Sequence, residues 1–328
     1  MTGVTRFLLY NMLPALVAGG VAWALVHAGV RLLGIRHGKL RLCLYMAPLV
    51  KSTLVMAGMA LVLRWPREVF ESWHAGALPP QTVAPILVVL TGLALIGRGV
   101  AVRRSRRALL ASASPANQVS PPLAEAYGRV LRAFEERGAH RLGDCDWVPE
   151  LPAPRLMVVD ADLRTPAVVL GARPTIVFPR GLVDRLEEGE LDAVLAHELA
   201  HVYVRAPLSC LSAEAVRAVT MINPVAALMA VQLHREEEKA CDDIAVAATG
   251  NADRYAATLL ECYRYANEST GLMAGRLQHV PQLLGVRPML SERIERLVSG
   301  RGPAENLSRQ LISFALLWTL LWVLVFSA

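Results

Sequence analysis

Four runs of about twenty apolar residues, at residues 7–30, 42–63, 82–102 and 311–327, limit what this chain can fold into more than any other feature. Crossing roughly 30 Å of hydrocarbon takes about 20 such residues, because a helix rises about 1.5 Å per residue and satisfies its own backbone polar groups. The composition agrees. Of 328 residues, 54% are hydrophobic, and the mean hydropathy is +0.38, too apolar for two soluble domains. The first run is longer than the apolar core of a signal peptide and has a single early cation, Arg6, so it reads as a retained span.

Basic loops stay cytoplasmic. Arg31, Arg36, Lys39 and Arg41 lie between the first and second runs, and Arg98, Arg103, Arg104, Arg106 and Arg107 cluster at the end of the third. Between the second and third, Arg67 is offset by Glu68 and Glu71, which suits the outer side. The N-terminus is therefore expected outside a bacterial cell. Residues 1–104 hold three spans, 105–309 form a cytoplasmic domain, and 310–328 are the fourth span. The net charge of +6 is densest beside a span, which points to anionic lipid headgroups and away from direct nucleic-acid binding. Five scattered cysteines with no CxxC pair fit a reducing compartment and exclude a cysteine-type zinc ribbon. Lys51 lies inside the second run, where it is expected to snorkel or to meet carbonyls freed near Pro48.

After the third run, residues 111–122 are rich in Ala, Ser and Pro and read as a linker. Leu123, Tyr127, Val130, Leu131 and Phe134 recur at helical spacing behind Pro121-Pro122, which predicts an amphipathic helix. Short β-rich runs at 155–159, 167–170 and 175–178, punctuated by Pro and Gly, predict a sheet of two or three strands. Helices are then expected over 187–205, from Pro207 to a break at Asn223-Pro224, and over 225–248, 252–267 and 291–298.

His197-Glu198-Leu199-Ala200-His201 is an HExxH sequence inside the first of these later helices. Four residues apart on a helix, the two imidazoles share one face and can hold one ion. Glu198 is rotated by about 100° from His197, so it can act on a water beside the metal without ligating it. Val194, Leu195, Leu199 and Val202 make this a buried helix, where His and Glu are costly without a metal or partners. The competing reading is a plain helix with a solvated Glu and two incidental His. A zinc ion needs a third ligand. In the short metzincin pattern a Gly and a His would fall at Val204 and Pro207, which excludes that pattern. The acidic run at 236–243 offers carboxylates on a later helix, and there Glu238 alone has a carboxylate, Asp242, one turn on along its own face. Glu238 is the expected third ligand and Asp242 the residue expected to orient a histidine, with Glu236, Glu237 and Asp243 as alternative ligands.

HExxH followed on a later helix by ExxCD (Glu238, Cys241, Asp242), with Asn223-Pro224 between them and apolar runs around them, resembles the BlaR/MecR family of membrane metallopeptidases. The stretch Ile176-Val177-Phe178-Pro179-Arg180-Gly181-Leu182 ahead of the HExxH helix adds to the resemblance, which extends over nearly the whole chain. It implies a mainly α membrane protein: four transmembrane helices, with a cytoplasmic α+β zinc protease domain of gluzincin type between the third and fourth. It also implies one zinc per chain and a regulatory protease that cuts a cytoplasmic repressor of the BlaI type or a membrane partner. The family's sensors continue into a penicillin-binding domain, whereas this sequence stops at Ala328, so β-lactam reception by that route is not expected. Val202-Tyr203-Val204-Arg205-Ala206 also departs from the family's basic stretch ending in Asp. A second similarity, to the HtpX and CAAX-prenyl proteases, rests on residues 287–294, which have the spacing of an HPxxxxRI element with Arg287 in place of His. It implies that Arg293 faces the active site and contacts substrate or oxyanion; a surface ion pair is the alternative.

The implied reaction is peptide-bond hydrolysis by a zinc-activated water, with Glu198 as general base and proton donor to the leaving amine. A protein or peptide substrate is expected to add as a strand along Thr175, Ile176, Val177 and Phe178, since an exposed edge supplies main-chain partners. Two other readings compete. One is a quality-control protease of HtpX type; the other is a catalytically silent membrane adaptor with a structural zinc, against which an intact Glu198 argues.

Overall fold

The computed structural model describes residues 3–35, 38–56, 80–136, 153–160, 163–169, 173–204, 224–268, 286–299 and 307–321. In chain order the elements are α1 (Gly3–Phe7), a π-helical turn (Leu8–Met12), α2 (Leu13–Leu32), α3 (Gly38–Met56), α4 (Pro80–Ala111), β1 (Ala113–Pro115), α5 (Ala116–Val119), α6 (Pro121–Glu136), β2 (Arg155–Val159), β3 (Ala167–Val169), β4 (Thr175–Pro179), α7 (Arg180–Val183), α8 (Glu188–Val204), α9 (Pro224–Thr249), α10 (Ala252–Glu268), α11 (Val286–Val298) and α12 (Leu307–Leu321). They fall into two compact units: residues 1–100, 208–237 and 303–328, and residues 101–207 and 238–302.

In the first unit α2 packs along α3, and α12 rests on both. One face of α2 buries Val26 and Val30 against Leu44, Tyr45 and Leu317. At Gly29 a Cβ would stand 2.5 Å from the Leu317 side chain, so any larger residue there would oblige Leu317 to shift. Some polar groups inside this bundle pair with one another: His27 Nδ1 meets Tyr45 Oη at 2.9 Å, and the Ser52 hydroxyl donates to the Ala15 carbonyl at 3.0 Å. Glu236, fully buried, takes Arg41 at 2.7 Å and the Gln232 amide at 2.8 Å. The outer faces are apolar. Val17 and Val21 of α2 are exposed, and Ile86, Val88, Val89, Leu93 and Ile96 of α4 are 55–70% exposed. Among the described residues, one helical stretch, Val4–Leu32, has the length and composition of a membrane span. The second and fourth apolar runs are helical as far as Met56 and Leu321, beyond which they lie outside the described residues. The third extends past its expected end to Ala111, through an Arg- and Ala-rich stretch of good helix formers.

The second unit is α+β. Its sheet has the order β1-β2-β4-β3, with β2 and β4 parallel and the outer pairs antiparallel. Residues 113–115, expected as linker, form β1 on β2; Ala113 pairs Val159 and Pro115 pairs Met157. A three-residue edge strand containing Ser and Pro has no hydrophobic alternation to announce it. The peptide-docking expectation is corrected by the same topology. Thr175, Ile176 and Val177 are bonded to β2 on one side and β3 on the other, so β4 offers no edge there, and Thr175 to Phe178 are all buried. Among the described residues the outer strands of the sheet are β1 and β3.

The amphipathic pattern after Pro121 becomes α6, which buries Leu123, Ala126, Val130 and Phe134 and packs on α8. Arg129 ties the two helices, pairing with Asp192 at 2.8 Å and Glu188 at 2.9 Å. At the start of α8 the Glu190 carboxylate accepts the Glu187 N–H at 3.0 Å, and the first-turn acids suit the helix dipole. Gly250, at φ 76°, ends α9, and Asn251 Oδ1 then accepts the Arg254 N–H at 2.9 Å to begin α10. α10 packs on both α8, which carries the HExxH turn, and α11. α11 starts at Val286, earlier than the helix expected from Ser291.

Candidate metal centre and active site

The core of α8 is apolar around its charged turn: Leu195, Ala196, Leu199 and Ala200 are completely buried. His197, Glu198 and His201 are buried among them at 7–8% exposure. The four-residue spacing sets the imidazoles on one face, with His197 Nε2 and His201 Nε2 3.2 Å apart. Glu238 reaches in from α9, one carboxylate oxygen 3.5 Å from His197 Nε2 and the other 3.5 Å from His201 Nε2.

Two imidazole nitrogens and a carboxylate facing one another in a buried space is a donor set that a cation would reconcile. The spacing fits zinc. Tetrahedral coordination with bonds of about 2.0–2.1 Å separates ligand atoms by about 3.3–3.4 Å, close to what these three atoms already show. Glu198 lies outside this cluster of three ligand-type residues.

The remaining acids of the run at 236–243 turn elsewhere. Glu236 is taken by Arg41, Glu237 lies 3.6 Å from His234, and Asp243 pairs with Arg296 at 2.7 Å. Asp242, fully buried, faces the opposite side of His197: its Oδ1 is 3.5 Å from Nδ1. Arg293, expected to face substrate, instead commits its guanidinium to protein carboxylates. It donates to Asp242 at 2.9 and 2.7 Å and pairs with Glu238 at 2.8 Å. Two residues join the site without a role in the sequence reading. Tyr255 of α10 places its hydroxyl 2.8 Å from His197 Nδ1 and 2.6 Å from Asp242, and Cys241 Sγ lies 3.2 Å from His201 Nδ1. Cys241 is the fourth position of the ExxCD sequence, whereas Tyr255 has no local signal.

The electrostatics follow from this packing. Burial by itself raises the Glu238 carboxyl, but Arg293 and the two imidazoles override it and hold it well below the usual carboxylate range. Asp242 is likewise lowered against burial, by Arg293 first. Burial and then the Asp242 charge push Tyr255 well above an ordinary phenol, so it keeps its O–H. For His197, burial opposes the proton, yet Glu238 outweighs it and the imidazole is raised. Burial, followed by the charge of Glu198, drives the Cys262 thiol up to about 12, which sets a neutral thiol near the HExxH carboxylate.

Residues 129–284 match the family described as BlaR1 peptidase M56. Over this segment, somewhat under half of its length, the chain is similar to M56 peptidases. The matched segment includes His197, Glu198, His201, Glu238, Asp242 and Tyr255 and stops short of Arg293. A protein named Protease HtpX homolog, from Acidiphilium cryptum (strain JF-5), is 35% identical over 144 residues, which are 42% of this chain and 45% of that protein. The chain thus spans under half the length of this curated relative. No solved structure gives a significant match.

Proposed function

We propose that the protein is an integral-membrane zinc metalloendopeptidase with Glu198 as its catalytic base. The observation that carries this reading is the convergence of His197, His201 and Glu238 ligand atoms at 3.2–3.5 Å from one another, with Glu198 on the same helical turn. When bound, zinc supplies a Lewis acid that polarises a peptide carbonyl and makes water easier to deprotonate. His197, His201 and Glu238 would hold it and leave a fourth position open. Glu198 takes the proton of the attacking water and delivers it to the leaving amine. The peptide adds along the outer edge of β3, the strand that packs on α8, because an extended chain needs unpaired backbone groups.

The exposed apolar side chains of α2, α4 and α12 support membrane spans near 7–30, 82–102 and 311–327, and the apolar run at 42–63 supports a further one. The basic loops support an outer N-terminus and a cytoplasmic protease region at 105–309. The match over residues 129–284 supports a regulatory protease that cuts a cytoplasmic repressor of the BlaI type or a membrane partner. Similarity to the HtpX homolog favours a second reading, quality control of membrane proteins.

The test compares wild type, Glu198→Gln and His201→Ala. Wild type should hold one zinc per chain. Glu198→Gln should keep zinc and fold while proteolysis falls by roughly 10² to 10⁴, the usual worth of general acid–base catalysis. His201→Ala should lose both. Equal processing of the cellular partner by wild type and Glu198→Gln, with loss only in His201→Ala, would establish a silent zinc adaptor instead. Peptides that accumulate under Glu198→Gln separate the two protease readings: one regulator for the first, many unfolded membrane proteins for the second.

A further inference from the structure

If one nitrogen of His197 is to bind a metal, the other must carry the proton, because a neutral imidazole has one N–H and one lone pair. Nε2 is the atom that meets His201 and Glu238. Nδ1 faces the Tyr255 hydroxyl at 2.8 Å. What the hydroxyl offers that nitrogen is decided on its far side. Asp242 Oδ1 lies 2.6 Å from Tyr255 Oη, and Asp242 accepts two Arg293 N–H groups at 2.9 and 2.7 Å. So held, Asp242 is a carboxylate, and a carboxylate can only accept. The phenolic hydrogen therefore goes to Asp242, and a hydroxyl lone pair is left for His197. Asp242 itself stands 3.5 Å from Nδ1, too far to replace the hydroxyl as partner.

We propose that Tyr255 is a positioning residue that selects the Nδ1–H tautomer of His197 and so directs its Nε2 lone pair at the metal. Asp242 sets the direction of the Tyr255 hydroxyl. Arg293 joins this relay to the third ligand, since it also contacts Glu238 at 2.8 Å. The chain His197, Tyr255, Asp242, Arg293, Glu238 thus closes around the centre and fixes two of its three ligands together. His201 has a different partner, Cys241 Sγ at 3.2 Å, so losing the Tyr255 hydroxyl should affect one histidine and spare the other.

This inference rests on the metal reading above, and the two fail in different measurements. In full-length, metal-free protein labelled with ¹⁵N-histidine, above the pH at which imidazole titrates, long-range ¹H–¹⁵N correlations report the tautomer of each histidine. His197 should be the Nδ1–H form in wild type and lose that preference in Tyr255→Phe, with His201 unchanged. Chelator competition should show zinc binding weakened roughly 10- to 100-fold, the usual effect of removing a ligand's orienting partner. Tyr127→Phe is the control: it deletes another hydroxyl contact, to the Pro154 carbonyl at 2.7 Å, and should change neither readout. Asp242→Asn, which keeps the ring and puts an amide donor opposite the hydroxyl, should shift His197 in the same direction and serves if Tyr255→Phe does not fold. A Tyr255→Phe protein with the wild-type tautomer and wild-type zinc affinity would overturn the proposal, as would equal losses in Tyr127→Phe. Wild-type protein with Nδ1–H His197 that takes up no zinc would uphold tautomer selection and overturn the metal reading.

Discussion

At the scale of single residues, two carboxylates lie one helical turn apart inside the second unit, Glu238 and Asp242, and Arg293 answers both. Like charges that close are tolerable in a buried setting only while the cation between them stays. Arg293→Ala should therefore cost about 3–5 kcal/mol, the range for breaking a buried ion pair by removing one partner. For a domain of this size that lowers the melting temperature by on the order of 10 °C, measurable in a thermal scan of the purified protein. An unchanged melting temperature would mean that the carboxylates find water or protons instead. How much of the site could be read in advance depends on the same distances. His197 and His201 are related by one turn of one helix, so their common face is written in a four-residue interval. Tyr255 is 58 residues from His197 and Arg293 is 51 from Asp242, and no local pattern relates residues across such intervals.

At the scale of elements, helix periodicity was the better guide and strand pairing the poorer one. The helix expected over 187–205 runs Glu188–Val204, and the one over 252–267 runs Ala252–Glu268, because an apolar stripe and a cap both mark where a helix begins and ends. The β-rich runs had the right places but no stated order. β4 became an interior strand once β3 folded back on one side and β2 lined up parallel on the other. An interior strand is sensitive to truncation. Ile176, with no exposed surface, should cost about 2–5 kcal/mol as Ile176→Ala, read from the denaturant midpoint. A loss below about 1 kcal/mol would contradict a close-packed β4, because volume deletion at such a site leaves a cavity.

At the scale of the whole molecule, the proposed arrangement of spans and loops rests on charge and hydropathy. The orientation argued from basic loops predicts that a cysteine introduced at Gly76 labels with an impermeant thiol reagent in intact cells and that one at Glu188 does not. The opposite pattern would move residues 105–309 outside and remove cytoplasmic repressors from the proposed function. Apolar runs, basic flanks and the HExxH interval are all properties of neighbouring residues, and the sequence by itself determined them: long apolar runs, a buried helix with two histidines on one face, and Glu238 as the carboxylate expected to join them. Tertiary structure alone decided that Arg293 turns to Glu238 and Asp242 and that Tyr255 stands between His197 and Asp242. The physical reason is that these depend on how α8, α9, α10 and α11 pack, and that packing is set jointly by side chains dispersed along some hundred residues.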